Sequence, residues 1–301
     1  MQYNLITILG PTAVGKTSLA AQLAFEFRGE IISADSRQVY KGMDIGTGKD
    51  LKDYLVDGKQ IPYHIIDIIN PKEEFNLFLF LKHFYNSFRI IKEDNKVPFL
   101  VGGTGLYLDA VLHSYSLKEV QDLNSYSWLN RLSLEELKKR LLKLNPKLHN
   151  TTDILDKERI ISAIMIAEAK DANLSIKKEK ITSLVIGINA DRKLVKERIT
   201  KRLKERLNGG MIDEVKMLIE SGVSHEKLSF FGLEYKFVSL YLQGQLNYND
   251  MYQKLNSSIH DFAKRQMTWF RKMEREGIKI HWIDGPDIEK AKEIIMKYFS
   301  I

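Results

Sequence analysis

Two spacings of apolar residues alternate along this chain. Short, largely apolar runs occur at "NLITIL" (4–9), "EIIS" (30–33), "YHIIDII" (63–69), "VPFLVG" (97–102), "SLVIGI" (183–188) and "IKIHWI" (278–283). Runs of this length, bounded by glycine and polar residues, predict strands buried in a sheet. Between them the apolar residues fall three and four apart. Leu19, Leu23 and Phe27 follow the first run, and Phe80, Phe84, Phe88 and Ile91 share one side of 75–93. Val195, Ile199, Leu203 and Leu207 step by four along a basic stretch. These spacings predict helices with one buried face. Strands alternating with helices predict an α/β fold, a parallel sheet with helices on both faces.

The alternation lapses between about Ser114 and Lys180. There "SLEELKKRLLKL" (133–144) and "ILDKERIISAIMIAEAK" (154–170) both predict amphipathic helices, and strand patterns are missing. The expected organisation is a core from 1–113 and 181–301 with a helical insertion, or lid, at 114–180.

Composition narrows the class. The 301 residues include no cysteine, which excludes disulfides and thiolate metal sites and leads us to expect a reducing cytoplasm. The start runs directly into a strand, so no signal peptide is expected. No apolar run approaches the roughly 20 residues that span a bilayer. The seven histidines are scattered without metal-ligand spacing, and His64, inside a strand-like run, reads as structural. A net charge of +7 favours a polyanionic partner without naming one. With no surplus of apolar surface, a monomer is expected.

Candidate chemistry begins at "GPTAVGKT", residues 10–17, between the first strand and the first helix. Gly10, Gly15, Lys16 and Thr17 fit the spacing of a loop that wraps phosphates. Glycines let backbone N–H groups face an anion, Lys16 adds a point charge, and Thr17 offers a hydroxyl to Mg²⁺. Such a loop implies polyphosphate binding and leaves hydrolysis open. Asp35 follows the second strand at the sheet edge where ligands bind in such folds. It reads as a Mg²⁺ ligand, a general base or a plain turn residue. "GGTGLY" (102–107) follows another strand and would bring Thr104 to the same edge, unless it is only a turn.

"GPTAVGKT", "DSRQVYKGMDIGTGK", "VGGTGLYLDAVL" and "FAKRQMTWFRK" closely resemble the tRNA dimethylallyltransferase family, in order and over most of the chain outside 113–182. The resemblance implies transfer of a dimethylallyl group from dimethylallyl diphosphate to N6 of the adenosine 3′ to the anticodon. The loop Gly10, Pro11, Thr12, Ala13, Val14, Gly15, Lys16 and Thr17 would hold the diphosphate, with Mg²⁺ at Thr17 and Arg202 as a further cation. Asp35 would be the general base, with Thr104 beside the reaction channel. Ser36, Arg37 and Gln38 would meet the tRNA anticodon arm, as would Arg159, Gly232 and Tyr235. So would Lys264, Arg265, Gln266, Trp269 and Arg271, although core packing with cations reaching past it is the other reading of this aromatic stretch. The chain departs from the family in its insertion, which is short and poor in proline. Arg131 is a candidate for a channel arginine there, and Ser162 stands where the family has a second arginine after Arg159. An adenylate isopentenyltransferase would need no RNA-facing segment. A P-loop kinase or ATPase would leave "FAKRQMTWFRK" without a use. A non-catalytic RNA-binding protein would not need Lys16, Thr17 and Asp35 together.

Overall fold

The computed structural model describes residues 3–115, 128–129, 131–144, 157, 160–161, 164 and 179–299. The chain forms two compact units, one from Met1–Ser114 with Glu179–Ile301 and a smaller one from Tyr115–Lys178.

The larger unit is built on a six-stranded sheet. Its strands are β1 (Leu5–Leu9), β2 (Gly29–Ala34), β5 (Tyr63–His64), β6 (Val97–Gly102), β7 (Ser183–Asn189) and β8 (Ile280–Asp284), in the order β5-β2-β6-β1-β7-β8. A separate two-stranded ribbon pairs β3 (Leu55–Val56) with β4 (Lys59–Gln60). Every pairing in the large sheet is parallel. β1 and β2 are buried along their whole length, which is why their sequences are largely apolar. Leu9 lies opposite Gly102 and Gly187, and Ala34 opposite Gly102. The loops after β1, β2 and β6 therefore leave one edge at one level.

The helices that follow these strands are α1 (Lys16–Glu26), α2 (Leu77–Glu93) and α3 (Gly105–Leu112). In α2 the side chains of Phe80, Phe84, Phe88 and Ile91 are wholly buried, and Asn76 caps the first turn through Leu79 N–H at 3.0 Å. One expectation needs correction. Of the run 63–69 only Tyr63 and His64 join the sheet, because Ile65 and Asp67 take positive φ (64° and 55°) and end the strand. Ile69 instead makes a lone parallel bridge to Tyr40.

After β7 come α5 (Arg192–Asn208), α6 (Met211–Glu220), α7 (His225–Phe230), α8 (Leu233–Leu242) and α9 (Tyr248–Arg275), and α10 (Ile288–Tyr298) follows β8. The 28-residue α9 buries Met251, Leu255, Ile259, Ala263, Gln266, Phe270 and Met273. Those residues step by four and three, so one stripe of the helix packs against the core. In the smaller unit α4 (Leu134–Leu144) buries Leu137 and Leu141 with Leu129, Ile160, Ile161 and Ile164. Ser133 and Glu136 cap its start reciprocally, Ser133 N–H donating to Glu136 at 2.8 Å.

Candidate active site

The loop between β1 and α1 is shaped by left-handed residues. Ala13 (φ 65°) and Gly15 (φ 88°) turn the backbone. No side chain caps the α1 N-terminus, so its first N–H groups and positive dipole end are open to an anion. Gly10 passes so close to the Ile188 carbonyl that a Cβ would crowd it. Lys16 Nζ donates to the Pro11 carbonyl at 2.6 Å, folding the ammonium over the loop. Burial, then the nearby Arg202 guanidinium, lowers the Lys16 pKa to about 8, against the opposing field of Asp35.

Arg202 comes from α5. Its Nη2 donates to Thr12 Oγ1 at 3.0 Å, tying the helix to the loop. Burial and the charge of Arg206 lower its pKa to about 10, so it stays cationic at neutral pH. Lys16 and Arg202 both feel the Asp35 carboxylate. Two cations and one carboxylate thus converge above the sheet edge.

Asp35 begins the loop after β2. Its Oδ1 accepts the Arg37 N–H at 2.9 Å, which fixes the carboxylate against the backbone. Thr104, at the start of α3, joins the β2 and β6 loops: its N–H donates to Ala34 O at 3.2 Å, and its Oγ1 accepts from Ser36 N–H at 3.1 Å. Gln38 sits between Ser33 Oγ (3.4 Å) and the Gly48 carbonyl (3.2 Å). The Arg37 guanidinium lies 5.3 Å over the ring of Phe230, which is 63% exposed.

The helix α9 closes the other side. Gln266 Oε1 accepts from Thr12 N–H at 2.8 Å and its Nε2 donates to Gly103 O at 2.8 Å. One amide therefore clasps the phosphate loop and the β6 loop together. Trp269 packs on Gly105, where a Cβ would strike the indole. Lys264, Arg265 and Arg271 are exposed on this helix.

Two residues expected at RNA lie inside instead. Gln266 is 6% exposed with both ends of its amide engaged. Tyr235 is 1% exposed and donates its hydroxyl to Glu214 at 2.7 Å. Gly232 does form a turn, at φ 131°, beside Arg37. Arg159 lies outside the described residues. Arg131 is exposed in the smaller unit.

Sequence reasoning passed over Glu214, Lys49, Arg206 and Glu234. The buried Glu214 carboxylate accepts the N–H groups of Asp44 (2.8 Å), Ile45 (2.7 Å) and Gly46 (3.0 Å). Buried Lys49 donates to Tyr40 O and Asp44 Oδ1, both at 2.7 Å, and to Asp67. Together they fix the loop 44–49. A signal was present: Glu214 falls on the buried stripe of α6 with Met211, Val215 and Leu218, and a carboxylate on an apolar stripe needs a partner.

The Thr17 hydroxyl at the end of the loop suits a hard cation such as Mg²⁺ that shares phosphate ligands. Asp109, His113 and Glu276 form another group of metal-ligand type. Lys272 already stands there, 3.3 Å from both carboxylates.

Residues 38–273 match the model of the IPP transferase family, and residues 3–64 that of isopentenyl transferase. The chain is 53% identical to tRNA dimethylallyltransferase 1 of Geotalea uraniireducens over 298 residues, 98% of each protein. It is 50% identical to tRNA dimethylallyltransferase 2 of Phocaeicola vulgatus over 299 residues, 98% of this chain and 97% of that one. The full-length tRNA isopentenylpyrophosphate transferase of Bacillus halodurans superposes with a TM-score of 0.70 at 32% identity, covering 99% of this chain and 95% of that one. A eukaryotic dimethylallyltransferase acting on tRNA shares the fold, with a TM-score of 0.77 at 23% identity over 99% of this chain and 81% of that one. With a family model spanning most of its length and relatives aligned from end to end, this chain belongs to the IPP transferase family.

Proposed function

We propose that the protein transfers the dimethylallyl group of dimethylallyl diphosphate to N6 of the adenosine 3′ to the anticodon in tRNA, releasing diphosphate. The observation that carries this reading is the convergence of Lys16, Arg202 and Asp35 on a phosphate-type loop joined by Gln266 to a helix with exposed cations. The names borne by the relatives point the same way.

The chemistry follows from the placement of charge. The allylic C–O bond breaks and its electron pair stays on the diphosphate. Lys16, Arg202 and the open N–H groups of the loop stabilise that developing charge. The adenine N6 forms the new C–N bond and its proton passes to the Asp35 carboxylate. Thr104 and Ser36 hold the β2 and β6 loops at fixed spacing around that carboxylate. Mg²⁺, held by Thr17 and the diphosphate oxygens, would supply further charge neutralisation.

An enzyme acting on free adenylate is the second reading. The exposed Lys264, Arg265 and Arg271 weigh against it, since a mononucleotide leaves them unused. The full reading is of a cytoplasmic monomer. Total tRNA incubated with Mg²⁺ and labelled dimethylallyl diphosphate should yield labelled RNA. Label in AMP and none in RNA would move the assignment to the adenylate enzyme.

A further inference from the structure

Arg206 stands one helical turn beyond Arg202 on α5. The two guanidiniums line one cleft with Thr12 of the phosphate loop and Glu234. The Arg206 side chain is 10% exposed, and its buried Nη2 has no hydrogen-bond partner among the described residues. Its nearest carboxylate is Asp50, at 3.9 Å and 46% exposed, a loose pair rather than a hydrogen bond. Glu234 lines the same cleft but makes no ion pair with either arginine among the described residues, and burial pushes its carboxyl up.

Like charges four residues apart on a helix repel. Here the repulsion is built in: the charge of Arg206 is, after burial, the largest influence depressing the Arg202 pKa. A buried guanidinium N–H with nothing to donate to is also costly. The surrounding chain enforces the arrangement all the same. Gly48 lies against the Arg206 Nη2, where any Cβ would collide with it. The carbonyl of Gly48 is held by Gln38, and its N–H donates to Ile45 O at 3.2 Å. Two adjacent guanidiniums lining one cleft, one of them unsatisfied, suit an anion that bridges them. The planar guanidinium fork can meet two phosphate oxygens bidentately.

We infer that Arg206 is a second guanidinium for the diphosphate, binding it beside Arg202 and moving off Asp50 to do so. This rests on the donor assigned under the proposed function. Arg206 only offsets the charge left when the C–O bond breaks. Arg202, bound to Thr12, fixes the anion against the loop. Arg206 closes over it from the side of loop 44–49.

The test uses the whole protein and inorganic diphosphate as the probe, read by calorimetry, alongside steady-state transfer to tRNA. Arg206→Met should weaken diphosphate binding about 10- to 100-fold, the range expected for a lost charge-assisted contact. The KM for dimethylallyl diphosphate should rise with it, while the affinity for tRNA in the absence of donor stays within about twofold, a split that general unfolding cannot produce. Arg206→Lys restores only part of the affinity, since an ammonium lacks the planar fork. It is also the variant to read if Arg206→Met loses its helical signal. Asp50→Asn should leave diphosphate binding equal or tighter, because it removes the competing carboxylate. Diphosphate affinity unchanged in both folded Arg206 variants, with Arg202→Ala still weakening it, overturns the inference and leaves the donor assignment intact. Failure of the wild-type protein to bind diphosphate or label RNA overturns the donor assignment itself.

Discussion

Burial beside Arg202 brings the Lys16 ammonium to a pKa of about 8, so its charge is at stake just above neutrality. A diphosphate binds the protonated form better. Its affinity should therefore fall as pH rises above about 8, and Lys16→Met should flatten that dependence. Stability without ligand runs the other way. The unfolded chain holds the Lys16 proton up to the ordinary lysine value of 10.5 while the folded chain releases it near 8, so the fold gains stability as pH rises through that window. A urea series from pH 7.5 to 10.5 on the wild type and Lys16→Met, compared at each pH, reads this directly: the wild type should gain on Lys16→Met as pH rises, and a wild type that loses ground has the wrong sign for a depressed lysine. Asp35 carries the other half of the chemistry. Asp35→Ala should cut transfer by about 10²–10⁴, the usual yield of positioned proton transfer, and leave diphosphate binding near normal. A variant keeping more than half of the wild-type rate would remove Asp35 from that role.

At the scale of elements, the loops are held by buried polar groups that reach across the chain. Tyr235→Phe leaves the Glu214 carboxylate one donor short and should cost about 1–3 kcal/mol of unfolding free energy in urea titrations. An unchanged midpoint would mean that the hydroxyl is idle. Gln266→Leu strips partners from Thr12 N–H and Gly103 O together. It should lower both stability and diphosphate affinity, although Gln266 lies on the helix that carries the exposed cations. These contacts also mark what the sequence could tell. The strands and α2 were legible because burial on a sheet or along one helix face writes a local period. The segment 65–69 was misread because its apolar residues serve a loop whose positive φ values leave no trace in hydropathy. Asp35, Lys16 and Arg202 were legible from motifs and family resemblance. Glu214 was not, since its partners Asp44 and Ile45 lie 170 and 169 residues away. Tyr235 and Gln266 were placed at RNA because their motif is familiar, while only the packing reveals that their polar ends point inward.

For the whole molecule the decisive quantity is the +7 charge and where it lies. On α9, Lys264, Arg265 and Arg271 are exposed beside the stripe that buries Gln266 and Phe270, so a backbone laid along that helix meets cations within reach of the clasped loops. An anticodon arm gripped this way would be held mainly through phosphates, with unpaired bases splayed out and read singly. Each neutralised phosphate releases counterions, so log affinity for tRNA should fall by several units per unit of log salt if about five contacts form. Arg265→Ala or Arg271→Ala should weaken tRNA similarly across sequences and flatten that slope by roughly one unit each. The affinity for inorganic diphosphate should hold in both, because both side chains are exposed on α9 and neither is hydrogen-bonded to the phosphate loop among the described residues. AMP should be a poor acceptor for the same reason: most of the binding energy that positions N6 would come from RNA beyond the reacting base. A salt-independent tRNA affinity with efficient prenylation of AMP would show that these cations only keep the surface solvated.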